Sequence, residues 1–204
     1  MAHKQILLVI MIVIISGLFL FGCSTAPDSS IVFSEDFEDG DYEGWEVWWQ
    51  RGLYAVDDGA LSIKTGGDLS HESTVLTGTW SFDLFLDDNK GSTHEFRFTE
   101  STYNFQNLEI KQDQSTQVWV NTQVDPTELS SFWEAEERLS GWHHFDITRD
   151  ETGLIKVYLD GEFIVEHFDD RDFDAEKLVI MYCCDGPVLD NLVVRDQVIE
   201  IVSP

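Results

Sequence analysis

GWHHFDITRDETGLIKVYLDGEFIVEHF, residues 141–168, reads as three consecutive antiparallel strands. In its first part Phe145 and Ile147 alternate with His144 and Asp146; further on Ile155, Val157 and Leu159 alternate with Lys156, Tyr158 and Asp160. A period of two is the spacing at which successive side chains leave a strand on opposite faces. The first bend, RDETG, puts Gly153 where positive φ is wanted. The second is Asp160-Gly161, a dipeptide suited to the type I′ hairpin whose twist matches a sheet. The apolar set is expected in a core and the alternating polar set outside it.

The same texture runs outward in both directions. IVFSEDF, WEVWW, ALSIKT, TWSFDLFLDD, HEFRFTE, NLEIKQD, TQVWVNTQV, KLVIMYC and VLDNLVVRD are rich in β-branched and aromatic residues and are separated by Gly, Asp, Asn or Pro. Trp80, Phe82, Leu84 and Leu86 share one side of their strand, opposite Ser81 and Asp83. Many short strands at regular spacing predict an all-β fold, a two-sheet antiparallel sandwich. One segment breaks the pattern. DPTELSSFWEAEERLSG (125–141) opens on Asp-Pro-Thr, closes on Gly, and repeats Leu129, Phe132, Trp133 and Leu139 at near-helical spacing, which predicts a short helix.

The N-terminus is a different kind of sequence. Residues 1–23 carry one lysine and the apolar run ILLVIMIVIISGLFLFG before Cys23, the pattern of a secretion signal with an apolar helix. LFGC (20–23) resembles a bacterial lipobox, which implies lipidation of Cys23; the rival reading is an uncleaved membrane anchor, since the run approaches spanning length. Residues 24–30 are a polar tether, and residues 31–204 are one domain. Both readings place that domain in the cell envelope, membrane-anchored and facing outside the cytoplasm. With 12 Lys+Arg against 39 Asp+Glu, formal charge −27, the chain repels phosphate backbones, so nucleic acid is excluded as a partner. Beyond Cys23 the cysteines are the adjacent pair Cys183-Cys184, which lacks the spacing of a zinc site and, on a strand, diverges to opposite faces.

Three stretches together resemble a known superfamily. GWHHFDITRDETGLIKVYLDGEFI resembles the signature of concanavalin A-like and laminin-G-like jelly rolls; FSEDFEDGDYEGW (33–45) resembles their opening strand and VLDNLVV (188–194) their closing one. The resemblance implies a jelly roll of two curved sheets that hosts lectins, carbohydrate-binding modules, hydrolases and inert spacers alike. It also implies a structural calcium where the first strand meets the last, with Glu38 and Asp190 at the matching positions and Asp36 as a substitute. Hard carboxylate oxygens from separate strands suit that ion. HFDDRDFDAE (167–176) lacks EF-hand spacing and reads as a solvated turn.

Sugar binding needs exposed aromatic planes with polar groups beside them. On a regular strand Trp45 and Trp49 share one side while Trp48 points to the other; Tyr158 projects outward from its strand, as does His144 from its own. Trp48, Tyr158 and His144 are therefore the expected ligand-face residues, with Trp80 and Trp142 in the core and His143 turned towards it. Catalysis fares poorly. The Glu-x-Asp-x-(x)-Glu strand of family-sixteen glycoside hydrolases sets two carboxylates on one face. The nearest string here, EAEER (134–138), lacks the central Asp and falls in the expected helix. The expected function is a non-catalytic glycan-binding or adhesion module whose partner is a glycan or cell-surface polysaccharide. A glycoside hydrolase of the same superfamily and a purely structural surface module are the alternatives.

Overall fold

The computed structural model describes residues 28–48, 52–63, 66–87, 91–99, 104–124, 127–171, 175–183 and 186–202. In chain order the strands are β1 (Ile31–Glu35), β2 (Glu46–Val47), β3 (Tyr54–Asp57), β4 (Ala60–Ile63) and β5 (Gly67–Glu72). There follow β6 (Gly78–Leu86), β7 (Ser92–Thr99), β8 (Asn104–Gln112), β9 (Thr116–Val124) and β10 (Thr127–Glu134). The last are β11 (Gly141–Arg149), β12 (Leu154–Leu159), β13 (Glu162–Phe168), β14 (Lys177–Cys183) and β15 (Gly186–Arg195). They form two antiparallel sheets. The eight-stranded sheet runs β13-β12-β11-β6-β15-β4-β3, with β1 also on β15; the seven-stranded sheet runs β10-β9-β8-β7-β14-β5-β2. The result is the all-β, two-sheet antiparallel sandwich that the alternation predicts, a jelly roll as the resemblance implies.

The core lies between the sheets and is made by the inward half of each period. Trp80, Phe82, Leu84 and Leu86 of β6 are all buried, as are Phe145 and Ile147 of β11 and Ile155, Val157 and Leu159 of β12. Facing them from the other sheet are Phe96, Phe98, Leu108, Ile110, Val118 and Val120. Rings bridge the layers: Phe82 stacks on Phe96 at 3.8 Å, and Trp80 meets Phe98 at 4.3 Å. Each such side chain contributes about 1.5–3 kcal/mol by leaving water.

The hairpins behave as their residues dictate. Asp160 and Gly161 take φ of 51° and 80°, the double left-handed geometry of the tight turn, and Gly153 sits at φ 86°. The first and last strands join one body, because β1 pairs with β15 and the buried Phe37 and Leu192 share the core. On the far side the sheet edges are sewn together by the buried His167 of β13. Its Nε2 lies 3.2 Å from Thr122 Oγ1 on β9 and its Nδ1 3.1 Å from Ser131 Oγ on β10.

Three expectations are corrected. The predicted helix over 125–141 is instead strand β10 at Thr127–Glu134, paired along its length with β9. Leu129, Phe132 and Trp133 fit helical spacing only because both faces of this strand carry apolar groups. Phe132 stacks outward on Trp119 while Trp133 packs inward on the core. Completing the ladder of β9 overrides a weak local preference. Trp142 is not core but 49 % exposed, edge-on to Phe85 on the outer face. With Phe145 pointing in, the period of two requires Trp142 to point out. In the run after β13, expected as a solvated turn, Asp169 departs from that expectation: it is buried and its carboxylate accepts two bonds of 2.7 Å from the Arg171 guanidinium, while Phe168 and Asp170 are exposed and residues 172–174 lie outside the described residues.

Residues 1–27, which include Cys23 and most of the tether, lie outside the described residues, as do Trp49 and Cys184. Among the described residues no helix is long and apolar enough to cross a membrane.

Candidate glycan-binding face

With Phe96, Phe98, Leu108, Ile110, Val118 and Val120 turned inward, the intervening residues of β7, β8 and β9 must project from the outer face of the seven-stranded sheet. These are Glu95 and Arg97; Phe105, Asn107, Glu109 and Lys111; and Gln117, Trp119 and Asn121. The set mixes aromatic rings, amides and opposite charges, and it is held together laterally. Arg97 Nη2 donates to Glu95 Oε2 at 2.8 Å, and Asn107 Nδ2 donates to the same oxygen at 3.1 Å. The Arg97 guanidinium lies over the Phe105 ring at 4.0 Å and 6.0 Å from that of Trp48. One strand over, Lys111 Nζ is 3.0 Å from Glu109 Oε2, to which Asn121 also donates at 3.4 Å. Lys111 lies 5.1 Å above Trp119, whose ring stacks on the exposed Phe132 at 4.7 Å.

Trp48 is thus placed beside this face. Its backbone N–H donates to the buried Asp68 carboxylate at 2.9 Å, and Trp45 is core. Tyr158 and His144 belong to the other sheet. Tyr158 packs edge-on against Phe163 on the outer face of β12 and β13. His144 projects from β11 between two carboxylates, its Nδ1 2.5 Å from Asp83 Oδ1 and its Nε2 3.4 Å from Asp146 Oδ1. Those partners, Asp146 first, raise the imidazole to about 9 despite its partial burial. His143 keeps inward parity but sits at the rim, with Nδ1 2.8 Å from Asp160 Oδ2. The three expected ligand-face residues therefore do not converge: Trp48 stands on one sheet, Tyr158 and His144 on the other.

Most of the outward set on β7–β9 escaped the sequence reading, although the signal was present. HEFRF, NLEIK and QVWVN each alternate inward apolar with outward polar or aromatic residues, so a count of what the polar half contains would have singled out this face. Glu95 and Glu109 stand directly opposite each other across β7 and β8. Both are already engaged, one by Arg97 and Asn107, the other by Lys111 and Asn121.

The expected calcium ligands lie near one another. Asp36 accepts from the Glu38 N–H at 3.2 Å, and Asp190 from the Asn191 N–H at 2.7 Å. Burial, then the charges of Asp83, Glu38 and Asp36, push the Asp190 carboxyl above its ordinary range. Yet no three His, Cys, Asp or Glu side chains among the described residues gather into a metal-holding group.

No family model matches the chain, and no curated protein matches it in sequence. Solved structures do. The binding domain of botulinum neurotoxin DC in complex with SialylT superposes with TM-score 0.61 at 11 % identity, covering 84 % of this chain and 48 % of that one. Porphyranase B from Zobellia galactanivorans gives 0.57 at 14 %, covering 79 % and 91 %. The carbohydrate binding module CBM66 from Bacillus subtilis gives 0.52 at 13 %, covering 76 % and 94 %. What they share with this chain is the fold. The chain spans about half the length of the neurotoxin domains it matches.

Proposed function

We propose that this protein is a non-catalytic glycan-binding module, held outside the cytoplasm by lipid on Cys23 or by its apolar leader, and that the outer face of the seven-stranded sheet meets the glycan. The observation that carries the reading is the ring-and-amide surface of β7–β10. Phe132, exposed and stacked on Trp119, offers a plane for the apolar face of a sugar, and Glu109 and Asn121 stand beside the pair to meet hydroxyls. Support comes also from the fold neighbours, which include a carbohydrate binding module, a porphyranase and a toxin domain in complex with SialylT. Trp48 is the one of the three residues expected from sequence that this reading uses. A calcium ion near Asp190 would act separately, as a stabiliser relieving carboxylate repulsion. The test is a glycan array probed with the full chain, with and without EGTA. Binding that Trp119→Ala weakens supports the reading; failure to bind any glycan moves the protein to the structural alternative.

A further inference from the structure

The outer face of β7–β9 contains the same device twice. In the first copy Glu95 pairs with Arg97 two residues along its strand, accepts from Asn107 on the next strand, and Arg97 covers the ring of Phe105. In the second, Glu109 pairs with Lys111 two residues along, accepts from Asn121 on the next strand, and Lys111 covers the ring of Trp119. The sequence carries the repeat as EFR followed by FQN, then EIK followed by WVN. Phe105 is opposite Gln123, four residues from Trp119 along β9. At about 3.4 Å per residue and one strand spacing of about 4.8 Å, the two rings lie about 14 Å apart. One sugar ring cannot reach both, whereas a chain can.

A second observation bears on the ligand's chemistry. Arg97 and Asn107 face each other directly across β7 and β8, and Arg97 Nε and Asn107 Oδ1 are both buried without a hydrogen-bond partner among the described residues. Native proteins seldom leave such atoms unmet, because each forgoes water for nothing. The first is a donor and the second an acceptor. A carboxylate or sulfate would satisfy Nε and repel Oδ1; an ammonium would do the reverse. A hydroxyl both accepts and donates, so a single neutral group of this kind satisfies the two together. The charges agree. Each cation of the pair of modules is neutralised by its own glutamate, and the chain as a whole carries −27, so a polyanion finds no attraction here.

Resting on the glycan reading above, we propose that this face binds a neutral polysaccharide along its chain, with one sugar at each module and a single hydroxyl shared by Arg97 and Asn107. Both atoms are screened from solvent in the free protein, so engagement shifts the Arg97 side chain on its flexible stem.

The probe is a set of neutral glucan, mannan, galactan and xylan oligosaccharides graded in length, beside uronate, sulfated and sialylated chains of the same lengths. Binding to the full chain is measured by calorimetry. Affinity should rise at least about 100-fold at the length that first spans both modules, because the second contact becomes intramolecular. Acidic chains should bind at least about 10-fold more weakly, the gap narrowing in high salt. Arg97→Lys keeps the charge facing Glu95 but removes Nε, and should cost about 10-fold at every length. Trp119→Ala should erase the length step while leaving the short chains bound. Asn121→Ala, on the more exposed module, serves if Arg97→Lys fails to fold, and should weaken only the long chains. Glycan binding without a length step, with preference for acidic chains, or unaffected by these substitutions overturns this proposal and leaves the glycan reading standing. Binding of no chain at all overturns both.

Discussion

Removing the imidazole of His144 should change how stability depends on pH. The ring projects from β11 between Asp83 of β6 and Asp146 of its own strand, at 2.5 and 3.4 Å. Both carboxylates are held in place independently: Ser81 Oγ donates to Asp146 at 2.6 Å, and Asn191 Nδ2 from β15 donates to Asp83 at 2.8 Å. The backbone N–H of His144 donates to Asp160 Oδ1 at 2.9 Å. Asp190 and Arg195 complete the charges of this neighbourhood. The ring is raised from 6.5 to about 9, so its stabilising effect is fully present below 6.5 and disappears as pH climbs through 9. At about 1.36 kcal/mol per pH unit the full shift corresponds to about 3.4 kcal/mol. The imidazole is 43 % exposed, however, and screening by water reduces this to about 1–2 kcal/mol. Urea unfolding of the full chain and of His144→Gln, at intervals from about pH 6 to about pH 10, isolates the effect as a difference between two curves. The wild type should be the more stable by about 1–2 kcal/mol at the acid end, and the advantage should vanish at the alkaline end. A difference that stays flat across this range would refute the reasoning.

Three further outcomes follow from the packing and the charges. Phe82→Ala, which removes a fully buried ring stacked on Phe96 and Phe145, should cost about 3–5 kcal/mol in chemical denaturation. Gly153→Ala should lower the melting temperature more than an ordinary surface change. The residue sits at φ 86°, and a Cβ there would lie 2.1 Å from the Asp169 carbonyl oxygen. Asp190→Asn should modestly stabilise the metal-free protein above neutral pH, because a carboxyl pushed upward opposes folding once ionised. If calcium does bind there, millimolar calcium should raise the melting temperature of the wild type and not of Asp190→Asn; equal melting curves in calcium and EGTA dismiss the ion.

The fold was legible because strand periodicity needs no partner to be read. Once Phe145 and Ile147 are inward, Trp142, His144 and Asp146 are outward, and one parity error in that chain of reasoning explains the misplacement of Trp142. The strand β10 was not legible in the same way. Its residues 129–133 present apolar groups on both faces, Trp133 to the core and Phe132 to Trp119, and a two-sided strand has the local spacing of a helix. Only the unpaired edge of β9, a feature of the folded sheet, decides between them. The ligand face was hidden for a related reason. Which outward sets share a surface depends on strand order, and the neighbours of β7 are β8 and β14, the latter some eighty residues away in sequence. Trp48 and Tyr158 carry equally good credentials as strand residues, yet that order sends them to opposite sides of the molecule.

The same topology explains why the platform can be precise. Three of its strands, β7, β8 and β9, are consecutive hairpins in full register, so the spacing of Glu95, Glu109, Asn107 and Asn121 is fixed by backbone ladders rather than by loops. Beneath them Phe96, Leu108 and Val120 are locked into the core by the opposite sheet. A site built on such elements holds its groups more closely than one built on loops. The repeat of Glu, cation, ring and amide also follows from the pleat. An antiparallel meander returns the same face every second residue on each strand, so one strand, β8, supplies the ring and amide of one module and the glutamate and lysine of the next. Phe105, Asn107, Glu109 and Lys111 are successive outward residues of that single strand. A change that slipped β8 by one residue would therefore invert both modules at once, turning Leu108 and Ile110 to solvent, and would abolish glycan binding together with the core.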